Sequence, residues 1–222
     1  MNDQTSIELM DIVPLVEHSN FIKPLRVHYK QSGKLLTWDC IKKHDSVAIL
    51  IFNKTRNVFV FVRQFRPSVF LSIHQLDDKS KNIADINKQM NSKAGYTIEL
   101  CAGIIDKEGL SPQEIAREEI IEETGYSPTL ESVQFITSHI TSVGTGASIQ
   151  YLYYCEVEDS MRVSQGGGIE NESIEIIEMT IEEARKHMLE PDHSTGMART
   201  ADFRFALCWF IYEKYPLLET AS

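Results

Sequence analysis

Four glutamates crowd the end of one helical segment. Glu118, Glu119, Glu122 and Glu123 fall in the run E-E-I-I-E-E-T-G, which closes on Gly125. At about 100° per residue, Glu119, Glu122 and Glu123 share an arc of roughly 100°. Like charges three and four residues apart repel, each pair costing about 0.2–0.5 kcal/mol. They also occupy the last turn, where the helix dipole disfavours anions. A solvated acidic face is the ordinary fate of such a run. A hard divalent cation would instead remove both penalties. Mg²⁺ takes oxygen ligands and keeps several waters, so a cation held there could also hold substrate phosphates.

Other residue types suit the same ligand class. Arg66, in R-Q-F-R-P, fits a phosphate through bidentate hydrogen bonds. Strand alternation puts Gln64 and Arg66 on one face and Arg63 and Phe65 on the other. Trp38 has the surface to stack on a base, to join a subunit contact or to lie in a core. The hydroxyl- and glycine-rich loop Thr141 to Ser148, with Gly144 in it, follows a strand and could shape a substrate pocket. Gly166-Gly167-Gly168 precedes Glu170 and Glu172. Three glycines allow a loop to close over a ligand or to cradle a phosphate with backbone N–H groups. His44 beside Asp45 reads as a structural Asp–His pair at a strand start. No H-E-x-x-H, G-x-S-x-G or Walker-type run offers another mechanism.

These residues need elements to position them. The helix starts well: Ser111 is an N-cap, Pro112 takes the first helical position and Glu114 completes a capping box. Gly125 ends it, giving Ser111–Thr124. Before it, Leu25 to Gln31 and Leu35 to Ile41 flank Ser32-Gly33 and read as a hairpin. Val47 to Phe52 is a continuous apolar run, the pattern of a strand buried on both faces. Val58 to Val62 and Tyr96 to Cys101 read as strands, and residues 74 to 95 as a polar surface insertion. Beyond the helix, Val133 to Ile140, Gln150 to Val157 and Ile174 to Met179 read as strands. Ile181 to Leu189 and Ala198 to Tyr215 read as helices. Strand-rich and helical stretches alternate, which predicts an α/β fold: a mixed sheet with helices packed against it.

Bulk properties bound the partners. The 222 residues are 42% hydrophobic, enough for one core. A formal net charge of −10 argues against nucleic acid or an anionic membrane as partner. Cys40, Cys101, Cys155 and Cys208 are widely spaced and read as free thiols in apolar surroundings. No signal peptide is visible, and the apolar run from Phe203 to Tyr212 is too short to span a bilayer. Cytoplasm is the default expectation.

The run from Glu99-Leu-Cys-Ala-Gly103 to Glu119-Ile-Ile-Glu122-Glu123-Thr-Gly125-Tyr126 resembles the Nudix box. Its second half, E-I-I-E-E-T-G-Y, has every acid and the glycine in register. Its first half departs from the pattern. The loop after Gly103 is one residue longer, Leu110 stands where the box has its first glutamate, and Glu118 stands where it has arginine. Arg117 points about 100° further round the helix and is no simple substitute. In the family those two residues mainly hold the loop against the helix, so the departures bear on the loop more than on a metal site. R-V-H-Y-K-Q-S-G-K (26–34), V-R-Q-F-R-P-S-V-F (62–70) and E-L-C-A-G-I-I-D-K-E-G-L-S (99–111) are similar to the nucleotide-sugar and ADP-ribose branch, and within it to the UDP-glucose pyrophosphatases.

The resemblance implies a Nudix α/β/α sandwich over residues 46–222. It also implies an N-terminal extension, 1–45, whose hairpin makes a homodimer. The implied reaction is metal-dependent hydrolysis of a nucleotide-sugar diphosphate, UDP-glucose to UMP and glucose 1-phosphate, with ADP-ribose a further or even the main substrate. A fold that binds a nucleotide-sugar without cutting it is the remaining alternative. Mg²⁺, with Mn²⁺ able to substitute, would sit on Glu119 and Glu123, with Glu122 as ligand or outer partner and the main-chain carbonyl of Ala102 completing the set. The general base would come from the glycine-led acidic loop, Glu172 first and Glu170 second.

Overall fold

A computed structural model describes residues 7–77, 79, 83, 86–87, 94–169, 172–192 and 197–216. Its organising strand is β3, Ser46–Asn53. Val47, Ile49 and Ile51 point into one core cluster, and Ala48, Leu50 and Phe52 into the other. With both faces covered, the run has no polar alternate, as its sequence indicates. One edge of β3 pairs in parallel with β8, Ile149–Val157, along its whole length. The other edge is shared. β6, Cys101–Ile104, takes its first half and β4, Val58–Phe65, its last residues, both antiparallel. β4 also pairs with β5, Tyr96–Glu99, and with β9, Glu175–Thr180. β7, Val133–Ile140, and β10, Ala198–Arg199, close the order β10-β5-β4-β3-β8-β7.

Helices cover both faces of this mixed sheet. α1, Pro67–His74, follows β4. α2, Pro112–Glu119, lays Ile115, Ala116 and, from the next turn, Ile120 on Val47, Ile49 and Ile51. Burying an isoleucine contributes roughly 1.5–3 kcal/mol, so these contacts hold the end of α2 against β3. α3, Ile181–Leu189, and α4, Ala201–Trp209, pack on the opposite face through Ala184, Phe203, Ala206 and Leu207. The result is the α/β/α sandwich expected from the resemblance.

Several elements differ from the sequence expectation, each for a local reason. The acidic helix keeps its capping box but leaves the α form after Glu119, and Ile120–Thr124 is a π turn. The wider turn rotates less per residue, so an arc reckoned at a fixed 100° fails over Glu122 and Glu123. The strand expected over Tyr96 to Cys101 is two strands. Leu100, buried in the core, marks where the chain leaves β4 for β3. The last helix begins at Ala201 because Ala198 and Arg199 first pair with β5, and it ends in a π turn at Phe210–Lys214. α1 has only a proline at its start as a signal, since its C-cap is a left-handed Gln75 (φ 52°) instead of glycine. Much of the 74–95 insertion lies outside the described residues.

The hairpin of β1, Ile22–Gln31, and β2, Lys34–Lys43, is a separate two-stranded sheet that turns on Ser32 (φ 52°) and Gly33 (φ 79°). Two positive φ values in succession suit the twist of a tight hairpin. It touches the body through the 141–148 loop. Ile41 N–H donates to the Thr145 carbonyl at 2.6 Å, and Trp38 Nε1 donates to the Gly144 carbonyl at 2.9 Å.

Gly125 ends the π turn at φ 76°, and a Cβ there would stand 2.3 Å from the Ser164 carbonyl oxygen. Its own carbonyl accepts from Val163 N–H at 2.8 Å. Strain and a backbone clash coincide. Gly125→Ala should therefore lower stability by about 2 kcal/mol or more in urea unfolding. An unfolding midpoint equal to that of the parent would show that this contact is not needed.

Candidate active site

The end of α2, its π turn and the β6 edge form the floor of a cleft of about 610 Å³, inside the usual range for small-molecule sites. Glu119, Glu122, Glu123, Ala102, Gly103, Arg66 and Glu172 all line it. The structure thus gathers Glu119, Glu122, Glu123, Ala102, Glu172 and Arg66 in one place. Trp38 and Gly144 lie elsewhere, bonded to each other on the hairpin side. Trp38 is 54% exposed, which rules out a core role within one chain. The 141–148 loop braces the hairpin, and Gly144 does not line the cleft. Glu170 falls outside the described residues.

Packing explains how each acid is held. Glu123 is only 3% exposed. It accepts from the Ala102 N–H at 3.0 Å and from the Cys101 thiol. The β3–β6 register leaves Ala102 at a position where neither its N–H nor its carbonyl faces β3, so both face the acid turn. Glu119 lies against Gly103, where a Cβ would stand 1.9 Å from its Oε1. Any side chain at 103 would displace that carboxylate. Glu122, at the rim, stands 3.5 Å from Lys107 Nζ.

Electrostatics set these two acids apart. Burial, reinforced by Glu122, pushes Glu119 up to about 7. Burial pushes Glu123 up to about 8, against the pull of its two hydrogen bonds and with Glu119 and Glu172 adding repulsion. The fold therefore presents two oxygen ligands that resist ionising unless a cation arrives, beside a carbonyl turned the same way. That donor chemistry fits Mg²⁺. Among the described residues no three carboxylate, imidazole or thiol groups already converge at metal-ligand spacing.

The departures in the box have structural counterparts. Glu118 accepts a 2.6 Å ion pair from Lys107, which ties the loop to the helix. Leu110 packs on the α2 core cluster. Arg117 reaches away to the Pro128 carbonyl at 2.8 Å. The longer loop is anchored by a lysine and a leucine in place of the arginine and glutamate.

Arg66 makes a bidentate pair with Glu99, at 2.8 and 2.7 Å, on the cleft wall. Its charge is therefore shared with that acid before any ligand arrives. Arg63, on the opposite face, pairs with Glu175 and sits over the Tyr96 ring. The glycine run is committed to the helix end. Gly167 and Gly168 N–H donate to the carbonyls of Glu123 and Glu122, at 2.8 and 3.1 Å. Those N–H groups are not a free phosphate cradle. Glu172 returns over the cleft, where its carboxylate accepts from Ile169 N–H at 3.1 Å. His44 and Asp45 are not a pair: His44 bonds the Asn20 carbonyl and Asp45 accepts from Ile149 N–H. Cys101 and Cys155 are buried, whereas Cys40 and Cys208 are half-buried, less enclosed than their sequence context indicates; all four are free. Sequence reasoning missed Phe21, Lys107, Gln150, Thr200 and Asp202 as cleft residues. Only their chain fold brings them there.

A strand edge with a spare carbonyl, set under a helix that ends in acids, defines a cleft of the size and polarity of a small-molecule site. Known proteins agree. No family model matches the chain. Uridine diphosphate glucose pyrophosphatase NUDT14 of Mus musculus is 34% identical over 215 residues, which span 93% of this chain and 95% of that protein. The Bos taurus protein of the same name is 37% identical over 201 residues, spanning 86% and 89%. GDP-mannose pyrophosphatase of Cronobacter sakazakii is 30% identical over 140 residues, spanning 63% and 62%. The chain belongs to the Nudix hydrolases, among their nucleotide-sugar pyrophosphatases, and is an enzyme of that family.

The raised acids carry a pH signature. Both hold a proton where an unfolded chain, with an ordinary value of 4.5, has lost it. Their contribution to stability is full below pH 4.5 and is lost as pH rises through about 7 and about 8. In EDTA, the melting temperature should fall between about pH 5 and pH 8. In Glu123→Gln, which keeps an acceptor for the Ala102 N–H, it should fall less. Parallel curves for the two proteins would mean that Glu123 ionises normally.

Proposed function

We propose that the protein hydrolyses the diphosphate bond of a nucleotide-sugar, taking UDP-glucose and water to UMP and glucose 1-phosphate, with ADP-ribose a further substrate. The observation that carries this reading is a pair of mutually repelling acids, the half-buried Glu119 and the buried Glu123, at the floor of a cleft that fits such a ligand. The names of the relatives, which act on UDP-glucose and GDP-mannose, support the substrate class.

Glu119 and Glu123, with Glu122 at the rim and the Ala102 carbonyl, would hold Mg²⁺, or Mn²⁺ in its place. The bound cation would neutralise phosphate oxygens and lower the pKa of water. Glu172, which also lines the cleft, would take the proton of the attacking water. Arg66, held by Glu99, would orient the diphosphate. One water adds across the P–O–P bridge, and each product leaves with one phosphate.

UDP-glucose, GDP-mannose and ADP-ribose, each incubated with Mg²⁺ and with EDTA, provide the test. UMP and glucose 1-phosphate should appear from UDP-glucose only with the metal. Glu123→Gln should cut turnover at least ~100-fold, the scale of losing a group that stabilises the transition state. Tight binding of UDP-glucose without a metal-dependent product would leave a binding protein in place of the hydrolase.

We also propose that the chain works as a homodimer, in the cytoplasm, through the hairpin. Its register puts Leu25, Val27, Tyr29, Leu36 and Trp38 on one face, each 37% exposed or more. A lone two-stranded sheet is marginal in water, and an apolar face of this extent marks a contact surface. Among the described residues no helix is long and apolar enough to cross a membrane, so a second subunit is the partner that fits. Light scattering should give twice the chain mass, and Val27→Asp with Trp38→Ala should give monomers. A monomeric parent protein would end the proposal.

A further inference from the structure

The cleft has two unlike ends. β5 lies between β4 and β10, with Gln64 opposite Thr97 and Arg199 opposite Ile98. Thr200, the next residue, therefore comes level with Glu99. Gln64, the Arg66–Glu99 pair, Thr200 and Asp202 share this end. From Glu99 the chain runs through Ala102 and Gly103, at the acids, to Ile104. There Ile104, Ser46 and Gln150 stand in register across three strands, with Phe21 beside them.

The polar groups at the first end are unspent. Thr200 is the N-cap residue of α4, yet its side chain does not cap. Its Oγ1 is shielded from water with no hydrogen-bond partner among the described residues. Neither Gln64 nor Asp202 makes a side-chain hydrogen bond or ion pair among the described residues. A buried hydroxyl left unpaired costs free energy, so a χ1 rotation that turns it from its shielded position to a ligand in the cleft that Thr200 lines is favoured. The ligand is not a phosphate. Asp202, with no cation paired to it among the described residues, repels it. A carboxylate that only accepts, an amide that does both and a hydroxyl that does both together match vicinal hydroxyls, which donate and accept in turn.

We propose that Gln64, Thr200 and Asp202 form a subsite for the hydroxyls of the sugar half of the substrate. This rests on the nucleotide-sugar reading and adds which residues select the sugar. The opposite end, with the exposed Phe21 ring and Ile104, offers the apolar surface that a planar base covers. The base and the sugar thus lie on either side of the acids that hold the diphosphate.

Binding of the two products separates the halves without needing turnover. Glucose 1-phosphate and UMP are each titrated by calorimetry into the full chain with Mg²⁺. Thr200→Val and Asp202→Asn should each weaken glucose 1-phosphate about 10-fold, the scale of losing a hydrogen bond to an otherwise unpaired group. UMP binding should stay within about twofold. Thr200→Ser, which keeps the hydroxyl, should restore the parent affinity. Unchanged glucose 1-phosphate binding, a loss confined to UMP, or an equal loss for both would overturn the proposal. If Thr200→Val misfolds, the isosteric Asp202→Asn decides alone. A protein that shows the pattern but cleaves no UDP-glucose keeps the subsite and loses the activity. One that cleaves without the pattern loses only the subsite.

Discussion

Two carboxylates, one buried and one half-buried, stand together at the end of a helix, and the rest of the structure is arranged around that cost. Glu119 and Glu123 sit where desolvation, mutual repulsion and the helix dipole all oppose their charge. Core packing of Ile115, Ala116 and Ile120 fixes the helix end, so the acids face the cleft. The side-chain-free Gly103, the Ala102 N–H and the Cys101 thiol accommodate the acids without neutralising them. A purely structural helix end would gain from losing these acids. A site that must seize a cation gains from keeping them dry, because the same low dielectric strengthens their hold once the cation is present.

Much of this was legible in the chain. The capping box at Ser111 and Glu114 and the terminating Gly125 located the helix and its end. The unbroken apolar run of β3 announced a strand covered on both faces. Alternation in β4 correctly separated Gln64 and Arg66, on the cleft, from Arg63, on the far side. What escaped were features set by neighbours at long range. The π turn depends on how the helix end docks. The division of Tyr96 to Ile104 into two strands depends on which partner each half finds. Thr200 and Asp202 reach the cleft only because two residues of β10 pair with β5. Nothing local in Ala198 to Tyr215 distinguishes that from a longer helix.

The weakened half of the box shows how one geometry admits different chemistry. Glu118 reverses the sign expected at its position, and Lys107 reverses the sign on the loop that faces it. Leu110 adds apolar packing where a polar contact was expected. The loop is still fastened to the helix, and the acids that follow keep their register. A change of residue type at both ends of a contact is invisible to a pattern that reads one end alone.

The glycine-led loop has a mechanical consequence. Gly167 and Gly168 are stitched to the carbonyls of Glu123 and Glu122, and Val163 to that of Gly125. The wall that carries Glu172 is thereby moored to the same turn that carries the floor acids. Thermal breathing of the domain would carry both together, so the span between Glu172 and the floor acids stays constant. Length changes between Gly125 and Gly168 would sever the mooring, whereas the hairpin tip at Ser32-Gly33 is free to vary without altering that span.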